Sequence, residues 1–353
     1  MPRSLIRFDH GRKILRQRFV DGGCYLLNYI ARRFLYLVVS VILVSVVSFL
    51  LINLPPGNYV DTLIRSLEAS GELIDQTYIE TLTRRYGLDQ PVYLRYFTWI
   101  RGIVFYGDFG HSFEFNRPVI DLILTRLPFT VMMSLVTMLF TYAVAIPIGI
   151  YSATHQYSPG DYTATVFGFL GLATPNFLLA LVLMYGLWKL LGFPPGGLFS
   201  HEYAQASWSI GKVLDLLKHL IVPIFVVGTA GTAGLIRSMR ATLLDELQKA
   251  YVITARAKGV AERKLLFRYP VRVAINPQIS TVGWLLPAIV SGSAIVSVVM
   301  SLPTVGPLLL QSLLSQDMYL AGTVVLILTT LTIVGTFLSD MLLVWSDPRI
   351  KFE

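Results

Sequence analysis

The chain is 353 residues long, with 54% hydrophobic and only 14% charged side chains, and a formal net charge of +8. A water-soluble domain carries about 25% charge, so this composition excludes an ordinary soluble globule and points to lipid around much of the surface. Lys and Arg are split among discrete loops between apolar runs, a pattern of membrane-protein topology rather than of a nucleic-acid surface, and the single cysteine, Cys24, excludes an intrachain disulfide framework or a thiolate metal cluster.

In chain order, residues 1–33 form a basic segment that holds Arg3, Arg7, Arg12, Lys13, Arg16, Arg18, Arg32 and Arg33 against Asp9 and Asp21. Arginine ahead of the first span predicts a cytoplasmic N-terminus. Apolar residues interleaved with these arginines allow an interfacial helix as well as a solvated tail. The run 34–54 is too long for a signal-peptide core and is predicted to be an uncleaved first span, ended by Pro55, Pro56 and Gly57. Residues 55–126 are mixed and carry more acid than base, which suits the outer face, and near-helical apolar spacing around Ile79 and Phe97 predicts short surface helices there.

A core of five further spans is predicted over 127–345. The second runs from Leu127 to about Ser152, followed by a short loop through Ser158 and Asp161 whose acid departs from the basic-inside pattern. The third, from about Val166 to Leu191, is interrupted by Thr174, Pro175 and Asn176. Breakers at that depth suit either a kink packed on a neighbour or a water-lined path. Gly192 to Lys218 reads as an outer loop. The fourth span starts near Leu220 with a small-residue face at Gly228, Ala230, Gly231, Ala233 and Gly234, which allows close helix approach. The fifth and sixth cover about Ile279–Leu302 and Leu320–Trp345, and 346–353 is a short polar tail. Six spans put both termini on one side, together with the basic loop 239–277, in which eight Lys and Arg face three Asp and Glu.

Chemistry of its own is sparse. The chain has no G-x-x-x-x-G-K-[ST] phosphate loop and no HExxH or GxSxG motif, its five histidines are scattered, and it is expected not to be an enzyme or to bind a cofactor or metal itself. Of the ionisable residues near spans, Lys189 and Arg237 suit snorkelling, while Asp340 is either a gating residue or a helix-end carboxylate paired with a neighbour. Ser293 in the fifth span either packs or lines a pore. Tyr251 to Pro277 stands out as a basic island between apolar runs; an ordinary cytoplasmic loop explains its charge but not its Ala and Gly spacing.

In this island, and in Leu54-Pro55-Pro56-Gly57, Tyr86-Gly87-Leu88-Asp89-Gln90-Pro91, Gly107-Asp108-Phe109-Gly110-His111-Ser112, Arg117-Pro118-Val119, Arg126-Leu127-Pro128-Phe129-Thr130, Thr254-Ala255-Arg256-Ala257-Lys258-Gly259 and Asp347-Pro348-Arg349-Ile350, the chain resembles the membrane permease subunits of the dipeptide and oligopeptide class of bacterial ABC importers. The likeness runs from about Arg32 onward. It implies an all-α polytopic protein with six transmembrane helices, similar to type I importer permeases, with a cytoplasmic coupling helix between spans four and five. It also implies that Thr254, Ala255, Arg256, Ala257, Lys258, Gly259, Glu262 and Arg263 dock an ATPase, Gly259 making a turn at positive φ.

The chain departs from the general permease signature in carrying Ile253-Thr254-Ala255 where Glu-Ala-Ala is usual, and in the distance of Pro277 from Gly259. It also carries Ser297, Met300 and Thr304 where relatives resemble Glu-x-x-Phe-x-x-Pro-Gly-x-Gly. Thr174, Pro175, Asn176, Ser293, Ser297 and Met300 are the candidates for a path or gate. Implied partners are a second homologous permease, two ATPase domains that bind ATP and Mg, a periplasmic binding protein and the lipid bilayer of the bacterial inner membrane, with no nucleic acid. The expected cargo is a di- or oligopeptide; an oligosaccharide or other small solute, an ion-gradient-driven transporter and a membrane scaffold are the alternatives.

Overall fold

The computed structural model describes residues 29–50, 52–54, 59–70, 76–85, 89–192 and 196–346. Most of the basic N-terminal segment, the Pro55-Pro56-Gly57 stop, Tyr86-Gly87-Leu88 and the closing 347–353 lie outside the described residues. The chain opens with α1 (Tyr29–Leu50), followed by α2 (Tyr59–Ser70), α3 (Gln76–Arg85) and α4 (Val92–Arg101), which one π-helical turn extends to Tyr106. A two-stranded antiparallel hairpin, β1 (His111–Ser112) and β2 (Arg117–Pro118), leads into α5 (Val119–Leu124) and α6 (Leu127–Thr154). Then come α7 (Pro159–Ala173), α8 (Asn176–Leu191), α9 (Ile210–Leu247), α10 (Ala250–Ala257), α11 (Glu262–Arg268) and α12 (Pro270–Ser280). Three helices close the fold: α13 (Val282–Val299), α14 (Val305–Leu314) and α15 (Met318–Ser346).

Among the described residues, five helical stretches are long and apolar enough to cross a membrane: α1, α5 with α6, α9, α13 and α15. The pair α7–α8 passes the same test jointly and makes a sixth span if counted as one. Helices suit lipid because each closes its own backbone hydrogen bonds. Pro147, Pro223 and Pro287 sit inside α6, α9 and α13 without ending them, which packed neighbours permit in a membrane.

Two boundaries differ from the expectation. The outer loop predicted to end at Lys218 is helical from Ile210, because Ser209 caps the helix by accepting from the Lys212 amide at 3.2 Å. The polar residues that read as loop are used locally: Lys212 Nζ donates to the Ala206 carbonyl, and Asp215 Oδ2 accepts from the Ser200 amide at 2.7 Å. The third span begins at Pro159 and its break is far more than a proline kink, since α7 and α8 meet at 107°. Thr174 and Pro175 both take extended ψ, 124° and 133°, which opens the helix over two residues.

The main core lies where α6, α8, α9 and α13 meet, around Met133, Ala145, Leu220, Val226, Leu285 and Val296. The small-residue face of α9 is shared among neighbours. A Cβ on Gly228 would meet Phe140 Cδ1 at 2.6 Å, and one on Gly231 would meet Leu285 Cδ1 at 2.9 Å, while Gly234 has nothing within 4 Å. Across from it, a Cβ on Gly149 would stand 2.7 Å from Met239 Cβ and 3.2 Å from the Ile236 carbonyl oxygen. Large apolar side chains such as Phe34, Leu43, Phe167, Val182 and Ile221 are exposed, the surface lipid covers.

Gly149→Val therefore forces α6 off α9 and is expected to lower stability in detergent by about 1–3 kcal/mol. Gly234→Ala leaves stability unchanged or slightly raised. Thermal unfolding of the two purified variants beside the wild type checks both.

Candidate functional site

The island between α9 and α13 folds as an elbow. α9 ends at Leu247, Lys249 takes an extended conformation, and α10 starts one residue on. Gly259 ends α10 at φ +77°. Its amide donates to the Arg256 carbonyl at 3.0 Å and the Val260 amide to the Ala255 carbonyl at 3.3 Å, the paired bonds of a Schellman cap. The left-handed φ requires glycine there. Across this turn Arg256 reaches Glu262 with both arms of its guanidinium, Nε to Oε1 at 2.6 Å and Nη2 to Oε2 at 3.1 Å. The hydrogen-bonded Arg256 holds the Glu262 carboxyl below its usual range. Both groups are exposed, so the pair sets the angle between α10 and α11 more than it stabilises the fold.

Two apolar anchors fasten the elbow: Val252 on α10 and Leu265 on α11 are completely buried. Ile253 and Phe267 are exposed at 56% and 55%, an apolar pair outside the spans, with Ala257, Lys258, Arg263 and Lys264 exposed around them. Thr254 returns its hydroxyl to the Ala250 carbonyl at 2.8 Å and offers no donor outward. Tyr251 donates to Glu246 Oε2, and burial, followed by this bond and the carboxylate charge, pushes its pKa up to about 12. The eight residues expected to dock an ATPase thus lie together on one elbow, with Arg256 engaged by Glu262 within the chain.

The elbow is joined to the spans by a polar network that sequence reasoning missed. Gln278 of α12, only 1% exposed, donates from Nε2 to Ser238 Oγ of α9 at 3.0 Å, and Tyr142 of α6 donates to the Gln278 carbonyl at 2.9 Å. Met239, Leu243, Val271 and Ala274 pack beside it. Asp161 at the start of α7 pairs with Arg240 of α9, Oδ2 to Nη2 at 3.0 Å. The spacing Ser158-Pro159-Gly160-Asp161 is the capping pattern that could have flagged it.

Of the candidate path residues, the structure brings Asn176 to α13, where a Cβ on the neighbouring Gly292 would lie 3.4 Å from its Nδ2. Ser293, Ser297 and Met300 are buried within this chain, Ser293 donating to the Val290 carbonyl at 2.8 Å. Met300 ends α13, and its carbonyl accepts from the Gly197 amide at 2.9 Å, which ties the stretch from Ser297 to Gly306 to the outer loop. Thr174 and Pro175 form the break itself. Asp340 pairs with Arg33 of α1 at 2.8 Å, the helix-end pairing that was one of its two readings.

Elsewhere, the motif Gly107 to Ser112 folds against the start of α15. Asp108 Oδ1 accepts from the Gly110 amide at 2.9 Å, and Gly110, at φ +89°, lets the chain pass Tyr319. Asp317, fully buried, accepts from Ser112 Oγ at 2.5 Å, from the Glu114 amide at 3.2 Å and from the Leu320 amide at 3.2 Å. Arg95, also buried, donates to Asn53 Oδ1, three residues past α1, at 2.9 Å and to the Met318 sulfur, and Phe49 of α1 packs with Trp99 of α4 and Leu326 of α15 nearby.

A bundle of apolar spans with an exposed basic elbow hung from its longest helix is the layout of a membrane transport subunit. The chain belongs to the family of binding-protein-dependent transport system inner membrane components: residues 145–352 match that family, and residues 26–135 match its N-terminal companion. It is similar to the oligopeptide transport system permease protein AppB of Bacillus subtilis, 35% identical over 92% of this chain and 99% of that protein. It is also similar to the peptidoglycan transport system permease protein YejB of Agrobacterium fabrum, 29% identical over 92% of this chain and 98% of that one. The oligopeptide permease OppB of Haemophilus influenzae is 28% identical over 93% and 100%.

Burial pushes the Asp317 carboxyl up, against the hydrogen bonds from Ser112, Leu320, Glu114 and Phe113. The folded protein therefore keeps this proton to higher pH than the unfolded chain, and stability falls as pH rises from the ordinary aspartate value, near 3.9, through the raised folded value. Asp317→Asn removes that slope. Thermal unfolding of both proteins across the acidic range should show the wild type losing ground to the variant as pH rises through this window, with a constant difference above it.

Proposed function

We propose that the chain is one of two homologous permease subunits of an ATP-driven importer of the bacterial inner membrane, carrying a di- or oligopeptide delivered by a periplasmic binding protein. Both termini and the elbow lie on the cytoplasmic side in this reading, as the basic residues of 239–277 suggest. The observation that carries it is the elbow: a rigid, apolar-tipped and basic projection, continuous with α9, belongs to a chain whose own sequence has no phosphate loop. The oligopeptide and dipeptide names of its relatives support the cargo.

Work is then done through contacts. Ile253, Ala257 and Phe267 enter a groove on an ATPase subunit, Lys258, Arg263 and Lys264 meet its acidic rim, and ATP and Mg stay on that subunit. Closure of the two ATPases draws the two elbows together and turns the spans outward; hydrolysis reverses it. The peptidoglycan name of the Agrobacterium relative supports a glycan-bearing cargo as a second reading. An ion-driven carrier is less well supported, because Asp340 and Asp161 each have an arginine partner rather than a free carboxyl along a path.

Uptake into proteoliposomes holding both permeases, the ATPases and the binding protein should require ATP, and competition between labelled peptide and muropeptide separates the two cargoes. Uptake by this chain alone on an ion gradient would overturn the reading. With Cys24 replaced by serine, a cysteine at Ala257 should cross-link to the ATPase. Gly259→Val forces a left-handed backbone that costs about 1–2 kcal/mol, so uptake should fall about 5- to 30-fold.

A further inference from the structure

The turn before α7 is built around Asp161. Ser158 Oγ accepts from the Asp161 amide at 3.2 Å, and Asp161 Oδ2 accepts from the Tyr157 amide at 3.0 Å, which holds Tyr157 at φ +58°, a conformation unusual for a tyrosine. The same oxygen takes Arg240 Nη2 at 3.0 Å. Asp161 is 4% exposed, so this acid is not a solvated loop residue that happens to break the basic pattern. It is a buried ligand for an arginine on the helix that becomes the elbow.

Arg240 lies seven residues before the end of α9 at Leu247, about two helical turns from the start of the elbow. On the same stretch Ser238 holds α12 through Gln278. Besides the Asp161–Arg240 pair, Arg237 of α9 lies over the Phe169 ring of α7 at 5.3 Å on an exposed face, and the remaining α7–α9 contact is small and apolar: a Cβ on Gly168 would touch Ala233 at 3.5 Å, and Gly171 faces the Thr229 methyl. Such surfaces have no preferred register along the helix axis, whereas a hydrogen-bonded ion pair does. At its far end α7 opens over Thr174 and Pro175 into the 107° bend, beyond which Asn176 meets α13 beside Gly292.

We infer that the Asp161–Arg240 pair is the strut that passes movement of the elbow to the bent α7–α8 pair. When the inner end of α9 shifts, the strut carries the foot of α7 with it. The two-residue break at 174–175 is the hinge that converts this shift into a change of angle between α7 and α8. Asp161 and Arg240 are positioning residues, with no contact to cargo or ATPase. The inference rests on the importer reading above.

The test uses the complete reconstituted transporter and records cargo uptake and ATP hydrolysis in the same vesicles. ATP-dependent uptake by the wild type tests the importer reading, and the variants test the strut. Asp161→Asn and Arg240→Gln should assemble and hydrolyse ATP, while cargo moved per ATP falls about 5-fold or more, the size of an ordinary coupling energy. Arg240→Lys keeps the charge and should recover part of the ratio, and the double variant should be no worse than either single one. An unchanged ratio in both single variants overturns the inference. So does a loss of uptake and hydrolysis in equal proportion, or a complex that no longer assembles while Arg240→Lys behaves as wild type, since each makes the pair a static brace.

Discussion

A segment in lipid must satisfy its own backbone, and α9 stays helical over 38 residues, with Pro223 inside it removing one amide donor. At about 1.5 Å per residue it is roughly 57 Å long, nearly twice the hydrocarbon thickness of about 30 Å, so both of its ends stand in polar surroundings. The rest of the fold is arranged along this rod. Its middle receives α6 at Gly228 and α13 at Gly231, its first turns hold the loop 196–209 through Lys212 and Asp215, and its last turns hold α12 through Ser238 and α7 through Arg240. Elements packed on its first and last turns are thus joined through one continuous helix, Ile210 to Leu247.

What was legible in the sequence was whatever depends on local rules. Apolar length revealed α1, α6, α13 and α15 to within a few residues, and the glycine after Arg256-Ala257-Lys258 revealed the turn of the elbow, since a left-handed cap is a property of six consecutive residues. The start of α9 was hidden because Lys212, Asp215 and Lys218 read as loop chemistry, although at least two of them find partners only once the loop 200–206 folds back over the helix. The bend between α7 and α8 was flagged by Thr174-Pro175-Asn176 but not its size, because a proline alone accounts for a kink, and 107° also requires Thr174 to leave the helix.

The polar connections were illegible for a related reason. Gln278 and Ser238 are 40 residues apart, Asp161 and Arg240 are 79, and Ser112 and Asp317 are 205, so no window along the chain brings the two partners together, even where a local capping pattern marks one of them, as at Asp161. Asp161 looked like a fault in the charge pattern, and nothing in the sequence singled out Asp317. Each is buried and held by donors, and each joins a connecting segment to a span: Asp161 the foot of α7 to α9, Asp317 the hairpin of β1 and β2 to α15.

Those placements bear on how the molecule moves. Within the spans, hydroxyls such as Thr232 and Thr329 bond to carbonyls one turn back, Thr141 also reaches the Gly228 carbonyl of α9 at 3.4 Å and Thr336 the Gly283 carbonyl of α13 at 3.1 Å, and the helices otherwise meet largely through glycine and methyl surfaces. Directional bonds are concentrated at the ends, where Arg33 meets Asp340, Arg240 meets Asp161 and Ser112 meets Asp317. The backbone leaves the helix at Thr174-Pro175 and again in the turn Met300 to Thr304 after α13, and both breaks hold residues named as candidates for a path or gate. In the importer reading proposed above, these breaks are where a change of helix angle is absorbed.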